Sequence, residues 1–314
     1  MTGQHHHYMI HGLAVRSSFR FDGVVERDSG PVPDPVIVEL GEVPERIAAP
    51  DIDEPMRQFA ANAYLREIPG IARLWITDGR RIVVRPDPDH DRGALVNIIT
   101  NLGLSMIGFQ RGYLPLHAAT IAVGGNAVGF AGASGAGKST LAAALALRDY
   151  AWHGDDLCLA RIEGPTGMRV GRGPDYLRLR DDAAAHLGSA YHLRAGTRQA
   201  DGKSSFRPVP ADAGTDLPLR RLYLPRRLAS GAEPRIQRIA PVDALAPLVD
   251  AVRLTASMLT AGLADRSFRI MVELANRVEL YWFDRPWTLD KFDAALDLLE
   301  GHLATLIPAP IETP

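Results

Sequence analysis

One eight-residue stretch, Gly132-Ala-Ser-Gly-Ala-Gly-Lys-Ser139, restricts the fold more than any other part of the 314-residue chain. It fits the pattern G-x-x-x-x-G-K-[ST] and lies between a run that reads as a strand, residues 127–131, and an Ala/Leu-rich run of strong helix propensity, residues 140–148. Glycines let the backbone N–H groups turn inward on phosphate oxygens with no Cβ in the way. The positive end of the following helix adds its dipole. In that arrangement Lys138 reaches the β- and γ-phosphates and the Ser139 hydroxyl coordinates Mg²⁺. Gly132, Ala133, Ser134, Gly135, Ala136, Gly137 and Thr140 complete the cradle. ATP and Mg²⁺ are therefore the expected cofactors. Only three lysines occur, Lys138, Lys203 and Lys291, the other basic residues being arginine. A lysine kept at 138 suits a phosphate-facing point charge.

Composition excludes several classes. Hydrophobic residues make up 46% and charged residues 23%, ordinary for a globular protein, and a net charge of −2 gives no reason to expect nucleic acid or a membrane as partner. The single Cys158 leaves no disulfide framework and fits a reducing compartment. The N-terminus lacks the basic start and apolar core of a secretory signal, and no uninterrupted apolar run reaches the roughly 20 residues that span a bilayer. A cytoplasmic protein is expected. His5, His6 and His7 read as a terminal tract or tag remnant, and the apolar run 95–109 as a buried helix.

Residues 1–90 read as a β-rich region, suited to substrate docking, and residues 91–314 as the catalytic domain. Strands are expected at 13–21, 36–40, 71–77 and 81–85, the last two joined by a turn at Asp78-Gly79. Residues 93–111 have helical periodicity and are expected to pack under the catalytic sheet. A hairpin with Gly124-Gly125-Asn126 at its turn leads into the glycine loop. Residues 161–238 carry 15 Lys and Arg against 8 Asp and Glu, and 195–214 read as a mobile polar loop. Helices are expected at 242–254, 255–276 and 289–306, with a strand at 278–283.

A phosphate loop alone does not separate kinase, ATPase and switch. A transporter ATPase would need a Leu-Ser-Gly-Gly-type signature and a GTPase an Asn-Lys-x-Asp-type base reader, and the chain has neither. The discriminating feature is Asp155-Asp156, which begins 23 residues after Gly132. At a strand end or bulge both carboxylates can approach the phosphate site. One acid beside Mg²⁺ and one able to take a hydroxyl proton is a minimal set for phosphoryl transfer to an alcohol. The alternative is a plain Gly-Asp-Asp turn.

His117, Gly132-x-x-x-x-Gly-Lys-Ser139 and Asp155-Asp156 together resemble the catalytic domain of HPr kinase/phosphorylase, over about residues 93–162. The stretch from Leu114-Pro-Leu-His117 to Asp156 is most similar to the HPr-kinase-related enzymes of lasso-peptide biosynthesis, which phosphorylate a serine near the C-terminus of their precursor peptide. The resemblance implies a mixed α/β fold, the phosphate-loop architecture shared with phosphoenolpyruvate carboxykinase. It also implies Asp155 as the base, Asp156 as support for Mg²⁺ and His117 as the group that tunes the acids. Thr140 stands where the HPr enzymes carry Glu, and their Glu-x-Arg-Gly-Leu-Gly-type segment has no clean counterpart.

Arg178, which alternates with apolar residues in Tyr176-Leu-Arg-Leu-Arg180, and Lys203, in the polar loop, are candidate cations for the transferred phosphoryl group. The expected activity is a P-loop serine kinase acting on a peptide or protein, with a homo-oligomer compatible with the sequence. A small-molecule kinase or nucleotidyltransferase is the alternative enzyme. A nucleotide-gated binding protein is the alternative from outside enzymology.

Overall fold

The computed structural model describes residues 5–27, 33–187, 192–193, 203–207, 216–253, 264–288 and 291–307. The N-terminal part is an eight-stranded sheet: β1 (His6–Ile10), β2 (Leu13–Ser17), β3 (Val36–Leu40), β4 (Ile52–Glu54), β5 (Arg57–Ala60), β6 (Ala63–Ile68), β7 (Ala72–Thr77) and β8 (Arg81–Pro86), in the order β1-β2-β3-β8-β7-β6-β5-β4. Strict alternation in Ala72-Arg-Leu-Trp-Ile-Thr77 sends Ala72, Leu74 and Ile76 to the buried face. Asp78 and Gly79 take φ of 54° and 63° in the turn that pairs Thr77 with Arg81. His6 and His7 are not a loose tail: they pair with Ser17 and Arg16 as part of β1.

Helix α1 (Arg92–Gln110) starts where the Asp91 carboxylate accepts the Ala94 N–H at 2.7 Å. By length and apolarity it could cross a bilayer, yet 67% of its apolar window is buried in the fold. Residues Ile99–Gly103 form a π-turn, within which the Thr100 hydroxyl meets the Tyr176 hydroxyl at 3.1 Å. The helix was expected beneath the catalytic sheet. Instead Leu95, Ile99, Leu104, Ile107 and Phe109 join one continuous core with the N-terminal sheet, and Leu157, Leu159 and Tyr176 enter that core from the far side.

The chain continues through β9 (Leu114–Leu116), β10 (Ala118–Val123), β11 (Asn126–Ala131), α2 (Lys138–Leu147), β12 (Ala151–Gly154), β13 (Cys158–Glu163) and β14 (Gly167–Gly171). There follow β15 (Leu177–Arg180), α3 (Asp181–Leu187), β16 (His192–Leu193), β17 (Lys203–Arg207), β18 (Asp216–Leu228) and β19 (Arg235–Arg238). The chain then forms α4 (Pro241–Ala251), α5 (Ala264–Arg277), β20 (Glu279–Pro286) and α6 (Phe292–Leu303). The fold is mixed α/β. In the second sheet β10 is antiparallel to β11 and β12, whereas β18 runs parallel to β11 and to β20. Helices α2 and α6 cover one face through Leu141, Leu145, Leu296 and Leu299. On the other face α4 and α5 contribute Leu248, Met271 and Leu274. Each such side chain contributes roughly 1.5–3 kcal/mol through burial.

One part of the 161–238 region differs from expectation, and one was given no reading. Residues 203–207, expected in a mobile loop, are the middle strand of a small sheet ordered β15-β17-β16, while residues 194–202 and 208–215 lie outside the described residues. The 13-residue β18 is the spine of the second sheet despite Pro218 and Pro225.

The two sheets meet backbone to backbone. The His11 N–H donates to the Arg172 carbonyl at 2.6 Å, and a Cβ on Gly171 would lie 1.9 Å from the Gly12 nitrogen. Only glycine at 171 permits that approach.

Candidate active site

Strand β11 ends at Ala131, and the chain turns through Gly132, Gly135 and Gly137 at φ of 139°, 86° and 78° before α2 begins at Lys138. Those left-handed values are why glycine occupies the positions. The first N–H groups of α2 have no intrahelical acceptor and open onto the loop. Lys138 is buried, and its Nζ donates to the Ala133 carbonyl at 2.7 Å, so the ammonium lies folded over its own loop. Ala136 is buried, its N–H on the Ala133 carbonyl at 3.3 Å. A cavity of ≈ 170 Å³ fronts the loop, lined by His117, Ser134, Gly135, Gly137, Lys138, Ser139 and Thr140, and on the opposite wall by Arg178, Arg180 and Asp182. A larger cavity of ≈ 420 Å³ lies in the N-terminal sheet among Glu45, Asp53, Glu54, Arg57 and Arg73. No glycine loop, lysine or histidine lines it, so the smaller cavity is the candidate site.

Strand β12 brings the acid pair to the loop, and there the two carboxylates part. The Ser139 hydroxyl donates to Asp155 Oδ1 at 2.7 Å, and the Arg178 N–H donates to Asp155 Oδ2 at 3.0 Å. Asp156 sits at φ 69° in a three-residue turn closed by the Leu157 N–H on the Asp155 carbonyl at 2.8 Å. A left-handed non-glycine residue costs of order 1–3 kcal/mol and is held by its surroundings. The turn aims the Asp156 carboxylate away from Ser139, to His117 Nε2 at 3.4 Å, Arg178 Nη1 at 3.5 Å and Arg253 Nη1 at 3.0 Å. Asp156 was expected on the metal side with Ser139; the hydroxyl meets Asp155 instead.

Burial alone would raise the Asp156 carboxyl, but His117, Arg253 and Arg178 outweigh it and hold it well below the usual carboxylate range. Burial pushes the His117 imidazole down, and the Lys138 and Arg253 charges add to that against the opposing pull of Asp156. His117 is therefore neutral at pH 7.

Arg253 carried no sequence signal. It follows α4 without any motif, and tertiary pairing alone places it. Residues 251–253 run beside 115–117 through the Leu116–Val252 bridge, the His117 N–H on the Ala251 carbonyl at 2.7 Å and the Arg253 N–H on the Pro115 carbonyl at 2.8 Å. The histidine and the arginine that flank Asp156 thus share one ladder. Lys203 opposes Arg180 in the register of β15 and β17, and its side chain lies outside the described residues.

Two buried histidines lie behind the acids. His153, two residues before Asp155, is 3.3 Å from the Thr120 hydroxyl through Nδ1, and His11 reaches in from the N-terminal sheet. Burial pushes His11 down to about 3 and His153 down to about 4.

No protein-family model and no curated protein matches this sequence. Among solved structures, the HPr(Ser) kinase/phosphatase from Coxiella burnetii aligns with 61% of this chain and 97% of its own, at 12% identity and a TM-score of 0.30. A likeness at that level assigns no activity to this chain.

Proposed function

We propose that this chain is an ATP-dependent kinase that transfers the γ-phosphoryl group to a hydroxyl, with a serine of a peptide or protein as the acceptor. The observation that carries the reading is the Ser139–Asp155 hydrogen bond beside a glycine loop with a buried lysine, together with a separate Asp156–His117 pair whose histidine lines the same small cavity as Ser139. Mg²⁺ takes one or two carboxylates together with substrate phosphates rather than a full protein cage. Among the described residues there is no cluster of three or more His, Cys, Asp or Glu able to hold a metal, and Ser139 with Asp155 is a donor set that fits Mg²⁺. When bound, the ion would neutralise charge on the β- and γ-oxygens.

The residues then divide the work. The loop N–H groups and Lys138 hold the phosphates. Arg178 and Arg180 face them across the cavity, where charge spreads on the equatorial oxygens. Asp156 accepts the hydroxyl proton as the acceptor oxygen bonds to phosphorus and the bond to the bridging oxygen of ADP breaks. A depressed pKa makes Asp156 a weak base. Phosphoryl transfer through a loose transition state tolerates this, because orientation of the nucleophile matters more than early proton removal. Neutral His117 keeps the carboxylate aimed.

The lasso-peptide precursor remains the acceptor suggested by the family resemblance, and the N-terminal sheet the surface suggested for docking it. Incubation with Mg·ATP and a serine-bearing precursor peptide should add roughly 80 mass units per phosphoryl group. A nucleotidyl-sized gain would assign nucleotidyl transfer. ADP release indifferent to any added acceptor would leave only a nucleotide-gated protein.

A further inference from the structure

The strands that carry the site run parallel from β11 through β18 to β20. The carboxyl end of β20 therefore emerges at the edge where the loop after β11 lies, the edge at which open α/β sheets bind ligands. Arg285 stands there, only 5% exposed. Its Nη2 comes so close to the loop that a Cβ built on Gly137 would lie 2.5 Å from it.

Among the described residues four arginines are buried to this degree, and three of them rest on carboxylates: Arg172 on Asp175 at 2.9 Å, Arg178 on Asp156 at 3.5 Å and Arg221 on Glu279 at 2.6 Å. Arg285 has no ion-pair partner among the described residues. Its Nη1 reaches only the Pro286 carbonyl at 3.4 Å, its guanidinium lies 5.3 Å from the centre of the Phe292 ring, and its Nε has no hydrogen-bond partner. Burial without an opposing charge pushes it down to about 10, so it is still a cation at neutral pH. A buried unpaired charge is costly, and a chain that keeps one at a loop built for anions has left the counter-charge to be supplied by something else.

We propose that Arg285 is a further phosphate cation, a positioning residue seated against Gly137 whose charge acts through the loop and is balanced when a nucleoside di- or triphosphate binds. This rests on the phosphate-loop reading above. It adds a cation that the loop's own sequence does not contain.

The test measures binding of Mg·ATP, ADP and AMP by calorimetry, and thermal melting without ligand, for the wild type, Arg285→Met and Arg285→Lys. Arg285→Met should weaken Mg·ATP by about ten-fold or more and AMP by less, since the loss follows the phosphate charge. Its ligand-free melting temperature should match or exceed the wild type's, because an uncompensated buried charge has gone. Arg285→Lys should recover most of the ATP affinity. Binding of Mg·ATP by Arg285→Met within about two-fold of wild type would overturn the proposal, as would equal losses for ATP and AMP. If Arg285→Met does not fold, Arg285→Gln and Arg285→Lys take its place, and a fold that survives only with the cation makes Arg285 structural, which also overturns it. Failure of the wild type to bind Mg·ATP at all would instead remove the phosphate-loop reading, and this proposal with it.

Discussion

At Asp156 a single backbone angle decides where each carboxylate points. With φ at 69° the second carboxylate points to His117 and Arg253, while Asp155 keeps the Ser139 hydroxyl. Asp155→Asn should therefore raise the Mg²⁺ requirement, and excess Mg²⁺ or Mn²⁺ should recover part of the transfer rate. Asp156→Asn should lower kcat by roughly 10²-fold or more with Mg·ATP affinity retained, because Asn keeps the shape but cannot take the proton. Rescue of Asp156→Asn by metal, and not of Asp155→Asn, would reverse the roles. Arg253→Gln tests the electrostatics. In the proposed role Asp156 acts ionised, and Arg253 helps to hold its carboxyl low, so losing the cation lets that value rise. The acid limb of the kcat/KM profile should then move to higher pH; an unmoved limb means that Asp156 does not set it. The identity of the acid pair was legible in the sequence, because Gly154-Asp-Asp156 at a strand end is a local pattern. The direction each carboxylate takes was not, since it hangs on one torsion and on an arginine 97 residues away.

Among elements, the unit made of β10, β11 and α2 was the most readable. Gly124 and Gly125 take φ of 55° and 75° between strands whose apolar runs were plain, and the loop glycines and helix formers follow directly. Strand β18 was hidden for a physical reason. Pro218, Pro225 and four arginines interrupt its apolar residues, and only pairing with β11, β14 and β20 makes an extended conformation worthwhile there. Arg285 was equally illegible, lying in an ordinary strand whose neighbour in space is the loop. Helix α1 was recognisable as a helix but not in its partner. Leu159, from β13 of the second sheet, presses its side chain against Gly108 of α1. Leu159→Ala should cost about 2–5 kcal/mol by opening a cavity at this joint. Urea denaturation at pH 7 is the measurement, and a loss below about 1 kcal/mol would show that α1 and β13 are not energetically coupled.

For the whole molecule, the division at residue 90 proposed from the sequence becomes a question about one shared core. Leu157, Leu159 and Tyr176 complete the cluster that covers the first sheet. A fragment of residues 91–314 should therefore expose the apolar face of α1 and aggregate, and a soluble, monomeric, ATP-binding fragment would show two independent domains instead. Acid should loosen the same joint. His11 and His153 are neutral in the fold, with values of about 3 and about 4, and take a proton near pH 6.5 once unfolded. The unfolded chain then binds more protons, so stability present above about pH 6.5 declines as pH falls toward about 4. Urea midpoints measured from pH 7.5 to 4.5 should fall steadily, and His153→Gln should flatten that slope. The cavity wall has a last consequence, at the bench. Lys138, Arg178 and Arg180 around ≈ 170 Å³ should accept any small tetrahedral dianion, not only the end of a nucleotide. Inorganic phosphate and sulfate are ordinary buffer salts of that shape and charge. In phosphate buffer the apparent KM for ATP should climb with salt concentration while kcat stays fixed, so an assay run there would record a sluggish enzyme that Tris or HEPES would show to be a brisk one.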